Sequence, residues 1–382
     1  MKRTLTILFA ALWVASASAK VVCGADCTEE WKRILQGKRV ALLANHTATT
    51  EGKHLLDKML EEGIKVVAVV APEHGFRGTA DAGEHVNSSV DVKTGVPIWS
   101  LYSANSRRLT PEQVAQYDIM VVDIQDVGLR FYTYYISMLS VMRSSAEGGK
   151  KVVVFDRPNP NGMYVDGPIL DMKYKSGVGA LPIPVVHGLT MGEIAKMAVG
   201  EGWCKPCEVE VVRCRNYTHQ TRYTLPIAPS PNLRSQRAIL LYPSVCLFEG
   251  TVCSLGRGTD HPFEAYGHLN IKDATFSFTP RSIAGAKYPP QLNKECHGVD
   301  LRDLPYEEII AKGFNLEYII DAYKRVGIGE KFFTSFFEKL VGVDYIRTMI
   351  IEGRSAKEIR AVWQNDLERY KALRRKYLLY EE

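Results

Sequence analysis

Carboxyl groups recur in the turns that follow short apolar segments of this chain. They are Glu73, Glu84, Asp123, Asp126 and Asp156. Glycoside hydrolases commonly use two carboxyl groups, about 5 Å apart for retention of configuration and roughly 6.5 to 9.5 Å apart for inversion, or one carboxylic acid together with the acetamido group of the substrate. These five side chains are therefore the candidates for acid–base chemistry on a sugar.

Other catalytic arrangements have weaker support. The chain has neither the Gly-x-Ser-x-Gly motif of serine hydrolases nor a His-Glu-x-x-His zinc motif. A metal site built from Glu73-His74 and Glu84-His85 is a low-ranking alternative, because the two pairs are not spaced for one helix face. The first predicted strand is followed by residues 46–50, which lack the glycine fingerprint of dinucleotide-binding folds. The sequence thus predicts neither a metal nor a cofactor.

The apolar segments that precede these turns predict buried strands. Six segments are short and apolar, most of them rich in β-branched residues: 39–45, 66–71, 97–102, 119–124, 151–155 and 183–186. Their alternation with polar turns and helical spacings predicts an α/β fold with a Rossmann-like, mostly parallel sheet. Ligands bind outside the carboxyl ends of the strands in such sheets, so the polar turns are expected to share one edge.

Residues 118–135 join a strand to a polar turn most clearly. A buried strand is predicted at 119–124, and Gln125, Asp126 and Arg130 crowd around Gly128 before a helix expected to continue to about residue 145. The alternative is a solvated turn between a strand and a helix. So many polar groups directly after a buried strand favour a binding or catalytic site.

The second half of the chain differs from the first in its pattern of loops, strands and helices. Thr190 and Glu193 predict a capped helix start, whereas loop-rich segments prevail beyond residue 223. Short strands around 268–279 and amphipathic helices at 315–325 and 355–380 predict a smaller C-terminal α+β domain. We predict three regions: a signal peptide at 1–19, a Rossmann-like catalytic domain at 20–220, and a domain at 221–382 that closes a cleft.

The N-terminus has the features of a secretory signal. Lys2 and Arg3 precede an apolar segment at 5–14, and Ala17-Ser18-Ala19 provides small residues for cleavage before Lys20. We therefore predict a periplasmic or secreted protein, without a stable membrane span after cleavage, because no later segment approaches the ~20 apolar residues of such a span. The formal net charge of +5 is too small to indicate a nucleic-acid partner.

The eight cysteines lie after residue 22. Cys204-Lys205-Pro206-Cys207 resembles a redox or zinc half-site, but it follows a predicted helix and precedes a predicted strand at 208–212, and a fourth zinc ligand is not evident. A structural disulfide or a free thiol is the favoured interpretation. Because export would place the chain in an oxidising compartment, we predict at least one disulfide.

Seven ordered motifs resemble the exo-β-N-acetylmuramidase family, long catalogued as a domain of unknown function. They are Pro72-Glu73-His74-Gly75-Phe76-Arg77-Gly78, Asp123-Ile124-Gln125-Asp126-Val127-Gly128 with Arg130-Phe131-Tyr132-Thr133-Tyr134, Asp156-Arg157-Pro158-Asn159-Pro160, His187-Gly188-Leu189-Thr190, Pro229-Ser230-Pro231-Asn232, Phe248-Glu249-Gly250-Thr251 and Gly256-Arg257-Gly258-Thr259-Asp260. The resemblance implies a Rossmann-like catalytic domain joined to a smaller domain. Their cleft would remove N-acetylmuramic acid from the non-reducing ends of peptidoglycan fragments.

The same motifs supply residue roles. The resemblance maps the catalytic carboxylate to Glu73. Glu84 and Asp123, on the turns after the second and the central predicted strands, are candidates for a second carboxylate. The predicted substrate-binding residues are His74, Arg77, Gln125, Arg130, Tyr132, Asp156, Arg157, Asn159, His187, Asn232, Glu249 and Arg257. Each has a structural alternative, as a capping, ion-paired or core side chain.

One specificity hypothesis concerns arginine. Muramic acid differs from glucosamine by a lactyl ether with a carboxylate, and the planar guanidinium of arginine binds carboxylates through two parallel hydrogen bonds. We predict that Arg77 or Arg257 reads this group. Arg130 and Arg157 directly follow predicted strands, where bracing Asp126 or Asp156 is the alternative.

Two other function classes stay open from sequence. One is a non-catalytic muropeptide-binding protein that keeps the cleft, and the other is a cell-wall amidase or esterase that cuts the lactyl–peptide link. A nicotinamide-dependent enzyme is disfavoured because the glycine fingerprint is missing.

Overall fold

A computed structural model of the chain describes residues 19–72, 76, 89–101 and 107–382. Its strands, numbered along the chain, are β1 Arg39–Ala44, β2 Thr49–Thr50, β3 Lys53–His54, β4 Lys65–Ala71, β5 Ser89–Val90, β6 Pro97–Ser100, β7 Ile119–Asp123, β8 Lys151–Phe155, β9 Asp166–Ile169, β10 Pro184–Val186, β11 Val209–Val212, β12 Ala265–His268, β13 Phe276–Phe278 and β14 Cys296–Asp300. Its α-helices are α1 Thr28–Leu35, α2 Leu55–Glu61, α3 Pro111–Val114, α4 Tyr134–Glu147, α5 Met191–Gly200, α6 Gln236–Val245, α7 Tyr306–Lys312, α8 Glu317–Val326, α9 Phe337–Val341, α10 Tyr345–Ile351, α11 Ala356–Val362 and α12 Gln364–Arg374.

Seven of the described strands form the main sheet, in the order β11-β8-β7-β1-β4-β6-β5. All neighbouring strands from β11 to β6 run parallel, and only the edge strand β5 pairs antiparallel. The parallel strands, counted along the chain, have the 3-2-1-4-5-6 order of a dinucleotide-type Rossmann sheet, whose topological switch point lies between the first and fourth strands. Here that point lies between β1 and β7, so the predicted α/β class and Rossmann-like sheet are confirmed.

Alternating side chains of the central strands supply two separate cores. Leu42 of β1 and Val121 of β7 face a core that includes Trp31 of α1 and helix α2. Leu43 and Val122, the next residues of the same strands, face a larger core with α4 and α5. Both faces of the parallel sheet are thus covered, which explains why its central strands are apolar over most of their length.

The predicted strand at 183–186 forms, but outside the main sheet. β10 pairs antiparallel with β9 in a separate two-stranded sheet, so its expected parallel pairing is wrong. The short apolar run gave no information about its partner, because β9 (Asp166–Ile169) contains Gly167 and Pro168, which are unfavourable in strands. The turn after β10 therefore does not belong to the carboxyl edge of the main sheet.

Helix boundaries follow the capping signals. Thr110 and Thr190 each form a capping box with the residue three positions on, at the starts of α3 and α5. The single helix predicted at 355–380 is wrong in its continuity, because α11 ends at Val362 and α12 begins at Gln364, with the buried Trp363 between them.

The C-terminal part is an α+β assembly as predicted. Strands β12, β14 and β13 form an antiparallel sheet, and helices α6 to α12 contribute residues to the larger core. The boundary near residue 220 stays a prediction. Among the described residues, no helix is both long and apolar enough to cross a membrane.

Candidate active site

The switch point of the sheet carries a hydrogen-bonded polar edge. Asn45, directly after β1, accepts hydrogen bonds at its Oδ1 from the backbone N–H of Thr47 (2.9 Å) and from the Thr47 hydroxyl (2.6 Å). The Thr47 Oγ1 in turn accepts from the backbone N–H of Gln125, after β7, at 3.1 Å. The ends of the two central strands are thereby tied together, at the place where Rossmann folds bind ligands.

Four predicted site residues lie outside the described residues: Glu73, His74, Arg77 and Glu84. Their segment follows β4, which neighbours β1, and the buried Pro72 is the last described residue before it. The roles assigned to these four side chains stay predictions.

Asp123 and Arg157 form a buried ion pair. The Arg157 Nε lies 2.5 Å from Asp123 Oδ1 and its Nη2 lies 2.9 Å from Oδ2, while Asp123 is fully buried and Arg157 is 6% exposed. Arg157 Nη2 also donates to the Thr49 carbonyl at 3.0 Å. The nearby carboxylate raises the pKa of Arg157 in spite of its burial. Both oxygens of Asp123 are engaged, which favours a structural role over attack on a sugar.

Asp156 acts as a buried cap for α5. Its Oδ1 accepts from the backbone N–H of Gly192 (2.9 Å), and its Oδ2 accepts from the hydroxyls of Thr190 (2.6 Å) and Tyr380 (2.7 Å). Burial raises the pKa of Asp156 to about 6, although these donors favour the ionised form. The carboxyl group joins three parts of the fold and has little freedom to meet a substrate.

Asp126 combines burial of its carboxyl group with a vacant acceptor oxygen. Its Oδ1 accepts from the backbone N–H of Gly128 at 2.8 Å, whereas its buried Oδ2 has no hydrogen-bond partner in the part of the chain that the structure describes. Burial raises the pKa of Asp126 to about 7. Sequence reasoning noted this residue but preferred Asp123 as a catalytic carboxylate. The Asp-x-Gly spacing, typical of a turn in which the side chain accepts from the backbone, was the available signal for its local geometry.

Three further predicted binding residues are committed to backbone contacts. The Gln125 Nε2 donates to the carbonyls of Asp126 and Pro158, both at 2.8 Å. The Asn159 Nδ2 donates to the Leu189 carbonyl at 2.9 Å. His187 is fully buried, its Nδ1 accepts from the backbone N–H of Leu189, and burial lowers its pKa to about 3.

Gly128 explains why the turn after β7 is so tight. Its φ is +82°, in the left-handed region that favours glycine, and an added Cβ would overlap with the Asn159 amide. Asn159 and its neighbours can therefore pack directly on the turn. This packing indicates that Asn159 and its neighbours support the turn after β7 and so shape the site.

Arg130 braces the two halves of the chain from the interior. It is fully buried, and its Nη1 donates to the carbonyls of Pro168 (2.7 Å) and Ile183 (3.0 Å). Its Nη2 donates at 2.8 Å to the carbonyls of Leu340 and Val341, at the C-terminal end of α9. Burial lowers the pKa of Arg130 to about 10. This position favours a structural role and leaves no access to a substrate.

Four other predicted binding residues meet around one small cavity. We call this space, of about 190 Å³, the interface cavity; the residues that matter most in its wall are Tyr132, Tyr134, Asn232, Tyr242, Glu249 and Arg257. Tyr134 is the first residue of α4 and Tyr132 lies two residues before it, whereas the others come from the C-terminal part. The cavity therefore lies where the two parts of the chain meet.

A charged pair forms one side of the interface cavity. Glu249 belongs to a 3₁₀ turn, Cys246–Gly250, that continues α6, and Arg257 lies between Gly256 and Gly258, both with φ of +81°. Arg257 Nη2 lies 2.8 Å from Glu249 Oε1, with the two side chains 21% and 24% exposed. The guanidinium also lies 5.5 Å from the ring centroid of Phe263. The sequence motifs supplied both residues but did not indicate that they pair.

One loop connects the interface cavity to the end of β1. The hydroxyls of Tyr132 and Tyr134 both donate to the Pro229 carbonyl at 3.0 Å. The adjacent Ala228 carbonyl lies 2.8 Å from the Nε2 of His46, which follows β1. Residues 228–229 thus run from the switch point of the sheet to the cavity. His46 and Tyr134 were not predicted as site residues, because neither stands out without its partner across the loop.

The cysteines do not form the expected disulfide. All eight lie within the described residues and all are free thiols. The neighbouring Cys214 thiol lowers the pKa of the Cys23 thiol. No group of three or more His, Cys, Asp or Glu side chains in the described ranges is arranged to hold a metal ion.

Two protein-family models match the chain. The model described as "Exo-beta-N-acetylmuramidase NamZ, N-terminal" matches residues 40–237, and the model described as "Exo-beta-N-acetylmuramidase NamZ, C-terminal" matches residues 240–380. A curated relative, the peptidoglycan beta-N-acetylmuramidase NamZ of Bacillus subtilis (strain 168), is 36% identical over 406 aligned positions, which cover 98% of this chain and 97% of the relative.

Two solved structures share the architecture. A DUF1343 family protein from Bacteroides fragilis NCTC 9343 is 56% identical with a TM-score of 0.90, and the match covers 95% of this chain and 100% of that one. A second DUF1343 family protein from the same organism is 26% identical with a TM-score of 0.82, covering 94% and 99% of the two chains. The likeness therefore extends over both parts of the fold.

Proposed function

The chain belongs to the exo-β-N-acetylmuramidase family, and from that premise we propose that it releases N-acetylmuramic acid from the non-reducing ends of peptidoglycan fragments. It is a glycoside hydrolase, and the resemblance of its seven sequence motifs to this family is confirmed. In the structure, the observation that carries the proposal is the interface cavity, because an exo-acting enzyme needs a small site that holds one terminal sugar.

The position of the cavity supports this function. It lies beside the carboxyl ends of the central strands, to which the loop at residues 228–229 connects it. Its wall combines the rings of Tyr132 and Tyr242 with the polar groups of Asn232 and Glu249. Aromatic faces and fixed polar groups are the usual composition of a small-molecule site.

Product analysis tests this function directly. The purified protein is incubated with a defined β-linked N-acetylmuramyl-N-acetylglucosamine disaccharide, and the products are identified by mass spectrometry. We expect free N-acetylmuramic acid and N-acetylglucosamine. Loss of a lactyl–peptide link from a peptide-bearing substrate, with the glycosidic bond intact, would instead indicate an amidase or esterase, and binding without any product would indicate a muropeptide-binding protein.

For the chemical step, we propose Glu73 as the proton donor, supported by its place in the family motif after β4. The described carboxyl groups nearest the switch point do not compete well for that role. Asp123 is held by Arg157, and Asp156 is held by three hydrogen bonds to Gly192, Thr190 and Tyr380. The second carboxyl group, if the reaction uses one, is then Glu84 or Asp126.

We propose that the protein is exported. The basic and apolar residues before Ala19 support export, and cleavage there would make Lys20 the first residue. N-terminal sequencing of protein recovered from the periplasm or medium tests the cleavage point. Counting thiols on the same material under denaturing conditions tests the eight free cysteines of the structure, for which we expect eight reactive thiols per chain.

A further inference from the structure

The interface cavity presents a buried amide oxygen that lacks a partner. Asn232 is 4% exposed, and its Nδ2 donates to the Gly285 carbonyl at 2.7 Å. This contact fixes which end of the amide is the oxygen. The Oδ1 is buried and accepts no hydrogen bond from the described residues. An unpaired buried acceptor costs about 1 to 3 kcal/mol, so its retention points to a ligand that completes it.

Glu249 supplies a second acceptor in the same cavity. Its Oε1 is buried and forms an ion pair with Arg257 Nη2 at 2.8 Å but accepts no hydrogen bond from the described residues, whereas the Glu249 side chain as a whole is 24% exposed. The guanidinium orients the carboxylate and leaves the remaining oxygen for another donor. A carboxylate accepts stronger hydrogen bonds from hydroxyl groups than a neutral oxygen does.

Two hydroxyl groups in the cavity wall donate elsewhere and do not compete for these acceptors. Tyr132 and Tyr134 both donate to the Pro229 carbonyl. The cavity thus offers acceptors from Asn232 and Glu249 among aromatic faces, and a complementary ligand needs hydroxyl donors on a ring with apolar C–H faces. A pyranose sugar has both features.

We propose that Glu249 and Asn232 accept hydrogen bonds from the free 4-hydroxyl of the terminal muramic acid and from its 6-hydroxyl, and that this contact makes the enzyme exo-acting. The inference rests on the proposed function. In a β-1,4-linked glycan, only the non-reducing terminal sugar has a free 4-hydroxyl, and every internal sugar carries the next ring on that oxygen. A glycosidic oxygen carries no hydrogen, so a 4-linked sugar cannot donate from that position to these acceptors. Arg257 is then a positioning residue for Glu249.

The test compares substrates that differ at the 4-oxygen. The substrates are the 4-nitrophenyl β-glycosides of N-acetylmuramic acid, its 4-deoxy analogue and its 4-O-methyl analogue. For the unaltered protein, we expect kcat/KM to fall about 10- to 100-fold for the 4-deoxy substrate, as for loss of a charged hydrogen bond. The 4-O-methyl substrate should be turned over at least as poorly. Equal turnover of all three would overturn the inference.

Variants then locate the contact. Glu249→Gln and Asn232→Ala should each shrink the difference between the parent and 4-deoxy substrates several-fold, because Gln lacks the charge that strengthens the hydrogen bond and Ala lacks the acceptor altogether. Tyr134→Phe is the matched control: it removes a donor from the same cavity and should keep the full difference. An undiminished difference in both acceptor variants would overturn the assignment.

Other outcomes separate this inference from the proposed function. If the unaltered protein cleaves no muramide at all, the proposed function fails. If the variants instead abolish the preference for muramide over glucosaminide, the cavity reads the lactyl group and the 4-hydroxyl assignment is overturned. If a variant does not fold, the 4-O-methyl substrate on the unaltered protein still decides.

Discussion

The Asp126 carboxyl group makes the stability of the fold depend on pH. Burial raises its pKa from 3.8 to about 7, so the folded chain holds a proton at pH values where the unfolded chain has lost it. Stability from this group is therefore present below about pH 4 and is lost as the pH rises to about 7, at about 1.4 kcal/mol per pH unit. Asp126→Asn keeps the shape without the proton equilibrium. We expect the variant to gain free energy of unfolding relative to the native chain between pH 4 and 7.

Chemical denaturation of both proteins at pH 4, 5.5, 7 and 8 measures this difference. It should grow from pH 4 to 7 and stay constant above. Asp321→Asn, at an exposed carboxylate that accepts from Tyr266, is the control and should show no such growth. A constant difference for Asp126→Asn over the whole range would mean that Asp126 ionises normally in the folded protein.

Glu73 has a separate prediction for activity. Glu73→Gln is similar in size and still polar but cannot transfer a proton, so the turnover rate should fall by ~10² or more. The measurement is kcat on a chromogenic N-acetylmuraminide, with Glu317→Gln on the exposed face of α8 as a matched control. An undiminished rate in a folded Glu73→Gln variant would assign the proton transfer elsewhere, with Glu84 next and Asp126 after it.

At the residue scale, the sequence predicts where a side chain lies in the fold better than it predicts which groups that side chain bonds to. The polar turns after β1, β7 and β8 lie at one edge of the sheet, as parallel strands require. The hydrogen-bond partners of these side chains were not predictable, because they are distant in the sequence. Asp156, for example, accepts from Tyr380, which is 224 residues away in the chain. The same holds for Glu249 and Arg257, which pair only because two glycine-flanked turns bring them together.

At the scale of elements, Arg130 joins neighbouring strands and helices through hydrogen bonds, a role that hydrophobic contacts usually have in a protein interior. It joins the carbonyls of β9 and the segment before β10 to the end of α9 through four hydrogen bonds. Arg130→Met should leave these buried acceptors without donors and cost about 3 kcal/mol or more of unfolding free energy. Arg33→Met is the matched control, because exposed Arg33 donates to a single carbonyl of its own helix, and it should change stability by less than about 0.5 kcal/mol. Similar midpoints of denaturation for the two variants would contradict the bracing role.

Local signals were sufficient for most helices and strands and insufficient for their partners. Capping residues predict the starts of α3 and α5, and five of the six short apolar segments predict parallel strands of the main sheet, because these features act within a few residues. The pairing of β10 with β9 and the break at Trp363 depend on tertiary packing. Trp363 is 1% exposed and its ring packs near that of Phe314. Residues close to Trp363 in the sequence do not predict this contact.

At the scale of the whole molecule, the two predicted domains share one hydrophobic core. Met120 of β7, Leu241 of α6 and Ile359 of α11 belong to the same continuous cluster. The sequence suggested a domain boundary because loop-rich segments become frequent beyond about residue 220. Composition alone does not show whether the two regions bury their apolar side chains in a common core. We infer that the C-terminal part is needed for the stability of the Rossmann-like part.

The segment at residues 378–382 makes this dependence testable. The backbone N–H of Leu379 donates to Glu193 at 2.8 Å, the Tyr380 hydroxyl donates to Asp156 at 2.7 Å, and the Glu381 carbonyl accepts from the N–H of His219 at 2.8 Å. Deleting these five residues uncovers the buried carboxyl groups of Glu193 and Asp156, so we expect a loss of at least 3 kcal/mol. Tyr380→Phe, which removes one hydroxyl, should cost about 1 to 2 kcal/mol. Because the core is shared, calorimetry should show a single transition in all three proteins, with equal calorimetric and van't Hoff enthalpies. Two separate transitions in the full chain, or a deletion without effect on the first 220 residues, would show that the two parts fold independently.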